Sequence, residues 1–332
     1  MAATGITSSQ DSSAFSGPRA VHLRHDLAAI ADLIEYSFAS SLDLSGRAAI
    51  QEMRLISRTG PLLWALGRLN NTVPGLMQGF VWIEKGRLVG NVSITPAFDK
   101  GWAIANVAVY PEYRRRGIAR QLMQMAMEWI AERGTFATLQ VEADNTPARA
   151  LYQSLNFIEQ RTFTRWRRPT FHRIPEPPAK TATVRSLSRR DSGSLYALAR
   201  FVGPDELGGM GWLRPTKKKE FLSSRWGVLG SLLGGQQNAY WGVLGRRGGL
   251  DAALLTRIQW GNLTASFDLL VRPECQGQFE AALVYEAVRQ IGGRLRPLIT
   301  EHPADDDAAE MVFRQYNFRP ERTLVHMIWH VS

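Results

Sequence analysis

Cysteine is almost absent from the 332 residues: Cys275 stands alone, which excludes a disulfide framework and any paired-cysteine zinc or redox motif. That scarcity fits a reducing compartment, and cytoplasm is the expected location. Long apolar runs are missing too, with no stretch approaching the 18 or more residues of a membrane span. Residues 1–18 lack the charged start and apolar stretch of a signal peptide and read as a flexible tail. The six histidines show no HExxH or comparable spacing, so no metal is expected. Charge of one sign is not concentrated anywhere. The net +10 divides evenly, with 19 basic and 14 acidic residues in 1–170 and 21 and 16 in 171–332, which makes nucleic acid an unlikely partner. The short clusters Arg165, Arg167, Arg168 and Lys217–Lys219 read as solvated surface.

What is present is a chain that is 45% hydrophobic and 21% charged, able to bury a core and long enough for about two domains. A proline-rich stretch, Arg173 to Lys180, bisects it as a semi-rigid spacer. The halves on either side are related at an offset of 162 residues. Trp64 falls on Trp226, Gly86 on Gly248, and Pro111-Glu112 on Pro273-Glu274; after a one-residue shift, Asn156-Phe157 falls on Asn317-Phe318. The division expected is a tail at 1–18, a first copy at 19–170, a linker at 171–181 and a second copy at 182–332.

Each copy mixes two periodicities. In the first, helices are expected over His25–Phe38 and around Ala48–Ile56. Strands follow at Gly79–Glu84, Leu88–Thr95 and Trp102–Tyr110, with a turn at Lys85-Gly86. A helix opens at Gly117 and ends near Gly134, and a strand runs Ala137–Glu142. Thr146-Pro147 reads as a helix start with Thr146 as cap, and Asn156 as the left-handed stop before a strand from Phe157. Asp305–Asp307 reads as the acidic start of a helix in the second copy, and the string Trp-Gly-Val-Leu-Gly at Trp226 and Trp241 as strand edges.

Chemistry concentrates between Asn106 and Arg120. Four arginines, Arg114, Arg115, Arg116 and Arg120, crowd the start of a helix, where its dipole disfavours cations by roughly 0.3–1 kcal/mol each. A bound anion offsets that cost. The free amides of a first helical turn, with Gly117 permitting close approach, suit a phosphate or pyrophosphate.

The run Arg114-x-x-Gly117-x-Ala119 after an apolar strand resembles the acyl-CoA signature of the GNAT superfamily of N-acyltransferases. Downstream, Asn145-x-x-Ala148-x-x-Leu151-Tyr152-x-x-x-Asn156-Phe157 resembles that family's second signature, with Asn156 in place of the usual glycine. The resemblance implies a mixed α/β fold, two tandem GNAT-like domains, each a mostly antiparallel twisted sheet flanked by helices. It also implies acetyl-CoA as co-substrate and an amine, in a small molecule or a peptide N-terminus, as acceptor. Residue by residue, Val107, Ala108 and Val109 would hydrogen-bond the pantetheine arm, and Arg114, Arg115, Arg116, Gly117, Ile118, Ala119 and Arg120 would hold the pyrophosphate. Asn145 would contact the cofactor, and Tyr152 would be the acid that protonates the departing thiolate. Outside that resemblance, Tyr152 would read as a packed helix residue.

The base departs from the family pattern: Ala103 stands where many relatives carry glutamate, and Gln140 where others do. Glu142 is the candidate base, against a surface carboxylate or proton removal by ordered water. In the second copy the signature becomes Gln276-Gly277-Gln278-Phe279-Glu280-Ala281, and Tyr152 becomes Phe313, so that copy is expected to be inactive. The function expected is transfer of acetyl to a primary amine by direct attack, since no cysteine lies in the first copy to carry an acyl group. A non-catalytic acyl-CoA-binding sensor is the alternative.

Overall fold

The computed structural model describes residues 15–39, 44–59, 78–170, 173–178, 182–221, 236–245, 248–259, 264–291 and 296–331. Trp226 and parts of the linker, at 171–172 and 179–181, lie outside them. The chain divides into two compact units that do not follow the linear halves. Unit 1 comprises residues 1–139, 147–158 and 328–332; unit 2 comprises 140–146 and 159–327.

In unit 1, β1 (Gly17–Ala20), β2 (Gln78–Glu84), β3 (Arg87–Pro96) and β4 (Gly101–Val109) pair antiparallel in that order. Strand β1 corrects the expectation of a free tail through residue 18. Pro18 pairs with Trp82, and the Arg19 guanidinium clasps the Asp26 carboxylate at 2.6 and 2.7 Å. Lys85 and Gly86, at φ 48° and 79°, make the two-residue turn between β2 and β3, a backbone whose twist suits a hairpin. Helices α1 (Leu23–Phe38) and α2 (Leu44–Thr59) pack Ile30, Leu33, Ile34 and Ile50 against Val81, Ile83, Leu88 and Ala108. The 3.6-residue spacing of those apolar positions is the reason both are helices. Helix α3 (Ile118–Ala131) buries Ile118, Leu122, Met123, Ala126 and Ile130. It approaches β3 closely because Gly90 has no side chain: a Cβ there would lie 3.0 Å from Ile118 and 3.1 Å from Leu122. Strand β5 (Phe136–Glu142) then runs parallel to β4, and α4 (Thr146–Gln153) follows.

Thr146 is the first helical residue of α4 rather than its cap, a shift of one position that places Asn145 at the boundary. Asn156 holds φ 63° and ends this segment as expected, two residues before β6 (Ile158–Arg168).

Unit 2 contains β7 (Arg185–Ser186), α5 (Ser192–Val202), β8 (Gln236–Leu244), β9 (Leu250–Gln259), β10 (Ala265–Val271), α6 (Glu280–Ile291), β11 (Leu298–Pro303), α7 (Asp307–Gln315) and nearly all of β12 (Arg319–His330). Its strands lie in the order β12-β6-β11-β10-β9-β8-β7. Strand β6, the last of the first copy in sequence, pairs antiparallel with β11 from Phe163↔Pro303 to Arg168↔Leu298. Its Trp166 joins a core with Phe267, Leu283, Phe313 and Phe318.

The duplication read from the sequence is visible in the backbone. Hairpin, strand, 3-10 turn, helix, strand, helix and strand recur in the same order, from β2 to β6 and from β8 to β12. Left-handed residues recur with them: Gly86 and Gly248 at φ 79° and 82°, Arg115 and Gly277 at 63° and 80°, Asn156 and Asn317 at 63° and 64°. The two copies therefore share one mixed α/β fold.

The cluster of Arg165, Arg167 and Arg168 is not a solvated face. Arg165 and Arg167 both reach Glu321, and Arg168 is 2% exposed, donating to the carbonyls of Tyr316 at the end of α7 and of Arg173 at 2.9 Å. A cation there complements the helix C-terminus.

His326 on β12 is equally buried. It stacks on Phe163 with ring centroids 4.5 Å apart, and its Nε2 lies 2.8 Å from the Gln140 amide nitrogen. Burial pushes its pKa from the usual 6.5 down to about 4. The folded state thus keeps a neutral imidazole, and stability present above pH 6.5 is lost as pH falls toward 4, by about 3 kcal/mol at the low end. Urea melts at pH 7 and pH 4.5 should show that loss in the parent and a smaller one in His326→Gln; equal losses would assign the acid sensitivity elsewhere.

Candidate functional site

The site is built on the end of β4 and the start of α3, both in unit 1. Parallel pairing of β4 with β5 is confined to Gly101–Ala103 against Phe136–Thr138. Beyond it, Ala108 and Val109 keep their antiparallel partners on β3, Asn91 and Gly90, Val107 falls in the register slip, and the other edge of the three is released from the β5 ladder. The release is built into the strand. Asn106 sits at φ 53°, and the pairing with β3 slips between Asn91 and Ser93, the mark of a β-bulge. The Asn91 amide, fully buried, donates to the Asn106 carbonyl at 2.9 Å and to Ser93 Oγ at 3.2 Å; the Asn106 amide reaches the same hydroxyl at 3.3 Å. Asn91, Ser93 and Asn106 are the positioning residues that sequence reading missed. Asparagine in the middle of two strands, a residue depleted there, was the available signal.

After β4 a 3-10 turn, Pro111–Tyr113, leads to Gly117, which caps α3 at φ 80°. A side chain at that φ is strained, and a Cβ there would meet only Gln121, at 3.8 Å. Among the described residues no acceptor meets the amides of Arg116, Gly117, Ile118, Ala119 or Arg120. The four arginines are exposed around this cradle. Arg114 is anchored to the Val109 carbonyl at 3.0 Å, Arg116 to that of Glu112 at 2.9 Å while it lies over the Tyr113 ring, and Arg120 to Ser154 Oγ at 2.8 Å. Open amides, a helix dipole and fixed guanidinium groups make an anion site, and the residues present fit a pyrophosphate.

Arg120 also ties α3 to the end of α4, two residues from Tyr152. The Tyr152 ring is 6% exposed and packs on Phe157 with centroids 6.1 Å apart; its hydroxyl has no hydrogen-bond partner among the described residues. Burial pushes the phenol up to about 12, so it keeps its proton at neutral pH. Glu142 and Asn145 stand on residues 140–146, which belong to unit 2. Burial raises the Glu142 carboxyl above the ordinary range, opposed by Arg322 and reinforced by Asp144. The Asn145 backbone N–H donates to the Glu142 backbone carbonyl at 3.0 Å.

The C-terminal copy repeats the release of paired strands: β10 meets β11 only at Ala265 and Ser266. A small open cleft lies there, lined by Asp268, Glu301 and His302 among others. Three of its polar side chains are paired within the chain. Asp268 is held by Arg214 and Arg257, His302 by Asp306 at 2.9 Å, and Arg161 by Asp305. Asp306 also caps α7, accepting from the Ala309 amide, as the acidic run suggested. The position of Tyr152 is taken by Phe313, fully buried. Among the described residues no helix is long and apolar enough to cross a membrane, and no group of three or more His, Cys, Asp or Glu could hold a metal ion.

Residues 57–157 match the acetyltransferase (GNAT) family. The chain is 36% identical over 133 residues to the mycothiol acetyltransferase of Tsukamurella paurometabola, covering 39% of this chain and 44% of that protein. It is 42% identical over 81 residues to the [ribosomal protein bS18]-alanine N-acetyltransferase of Escherichia coli K12, covering 24% and 54%. The chain thus spans about half the length of these curated relatives. In fold, it is similar over 95% of both chains to a GCN5-related N-acetyltransferase from Sphaerobacter thermophilus, at 16% identity and a TM-score of 0.57. The strand end, the cradle and the second motif all fall within the residues that match the acetyltransferase (GNAT) family.

Proposed function

We propose that this chain transfers an acetyl group from acetyl-CoA to a primary amine, with the co-substrate held by the N-terminal copy. The observation that carries the reading is the cradle of acceptor-free amides from Arg116 to Arg120 beneath anchored arginines, directly after a strand edge freed by a bulge. Acetyl-CoA supplies an activated thioester carbonyl. Backbone groups of Val107–Val109 bind its arm, the amides and guanidinium groups of Arg114–Arg120 bind its pyrophosphate, and Asn145 contacts it.

Tyr152, protonated at neutral pH, donates its phenolic proton to the leaving thiolate sulfur. Glu142 takes the proton from the acceptor ammonium, and the burial that raises its pKa moves it toward the value a base needs near neutrality. Transfer is direct, because the single thiol, Cys275, lies in the other copy. The relatives' names, a mycothiol acetyltransferase and a [ribosomal protein bS18]-alanine N-acetyltransferase, are the reason to begin a screen with small amines and peptide N-termini.

Thiol release from acetyl-CoA, followed across amine, amino-sugar and peptide acceptors against an acceptor-free blank, tests this. Acceptor-dependent release is expected with at least one class. Tight acetyl-CoA binding with no release for any amine would instead favour a binding protein that has lost turnover.

A further inference from the structure

The loop that forms the anion cradle occurs twice, and its two versions differ in what meets their amides. In the N-terminal copy the first residue of the helix is Ile118, whose side chain turns into the apolar contact at Gly90 and leaves the amides bare. In the C-terminal copy the same position, 162 residues on, is Glu280. It is 1% exposed although it carries a carboxylate. Its Oε1 accepts from the Gly277 amide at 2.9 Å and its Oε2 from the Phe279 amide at 3.1 Å.

Two oxygens bridging the amides of Gly277 and Phe279, on either side of Gln278, at a helix N-terminus resemble the way such a loop grips an external anion. The helix dipole favours the charge, and the bonds to backbone N–H groups offset its burial. Gly277 holds φ 80°, as Arg115 at the same place in the first copy holds 63°, so both loops make a left-handed turn there.

We propose that Glu280 is an internal ligand of the second cradle: its carboxylate occupies the place that a phosphate takes in the first copy, and it thereby limits the chain to one acetyl-CoA. The limit on acetyl-CoA rests on the function proposed above; the occupation of the cradle does not. The test uses the full chain with inorganic pyrophosphate as probe, following the ¹H–¹⁵N signals of Gly277 and Phe279 together with the melting temperature.

In the parent, those two signals should stay fixed at millimolar pyrophosphate. In Glu280→Ala the melting temperature should fall by roughly 2–4 °C, since two loop amides lose their acceptor, and the two signals should shift saturably as pyrophosphate restores part of the loss. Glu280→Gln, which keeps one acceptor oxygen, should fall between and guards against an alanine variant that does not fold. Signals that move in the parent would mean that the cradle is open and overturn the proposal. So would a Glu280→Ala protein, or a Glu280→Gln protein if the alanine variant does not fold, as stable as the parent with both signals silent. Failure of acetyl-CoA to bind the parent would sink the proposed function while leaving the Gly277 and Phe279 result standing.

Discussion

Replacing Tyr152 by phenylalanine should lower kcat by about 10²–10³-fold, equivalent to roughly 3–4 kcal/mol of transition-state stabilisation, while acetyl-CoA binds within about twofold of the parent. The contrast follows from where the ring sits. Its carbon frame is buried on Phe157, and phenylalanine preserves that packing. Its hydroxyl has no hydrogen-bond partner among the described residues, so removing it orphans no buried group and should cost the fold little, within about 0.5 kcal/mol. What is lost is one acidic proton.

The pH dependence gives a second check on the same residue. Activity needs the phenol protonated, so its contribution disappears only as pH rises through about 12. With Glu142 as the proposed base, acting as its carboxylate with a pKa above the ordinary range, activity should decline as pH falls at a higher pH than for an exposed glutamate. A Tyr152→Phe enzyme with parental kcat would return this residue to a packing role. One that loses acetyl-CoA affinity in proportion to kcat would point to a structural defect.

Cutting the chain at the linker should have an effect as large, on folding instead of rate. Residues 1–170 read as a complete first copy, yet Glu159–Arg168 belongs to unit 2 and Ile328–Ser332 to unit 1. Strand β6 has β11 on one side and β12 on the other, and Trp166 and Phe163 are buried in unit 2. Expressed alone, residues 1–170 would bare both edges of β6 and two large aromatic side chains, each worth roughly 2–3 kcal/mol of lost burial, and would also lack the Val331 amide that donates to Thr135. The expected product is aggregated or lacks a cooperative melt, whereas the two fragments co-expressed should recover it. A fragment of 1–170 that melts cooperatively as a monomer would show that the exchange of segments is dispensable.

Much of this fold could be read from the residues themselves. The helix at Ile118–Ala131 is written in its apolar spacing, the hairpin in Lys85-Gly86, and the duplication in an offset that the left-handed positions of both copies repeat. The cradle was legible for a physical reason: clustered arginines at a helix start are unfavourable without an anion.

The missed features depend on partners far apart in sequence. Alternating apolarity in β6 reports that one face is buried, not which strand lies beside it. The bulge at Asn106 is held by Asn91, 15 residues earlier on a neighbouring strand. Arg168 looks like any surface arginine until the end of α7 arrives 148 residues later to meet it. The carboxylate of Glu280 was visible in the sequence, but only the left-handed turn at Gly277 lets it fold back onto its own loop.

The central claim is that one copy, the first, holds the co-substrate through the amides and arginines at the start of α3. Calorimetric titration of acetyl-CoA into the full chain and into Arg116→Glu tests it most directly. One equivalent bound by the parent and lost, or weakened at least tenfold, in the variant is the predicted result. No binding to the parent, two equivalents, or one equivalent unaffected by Arg116→Glu would contradict it.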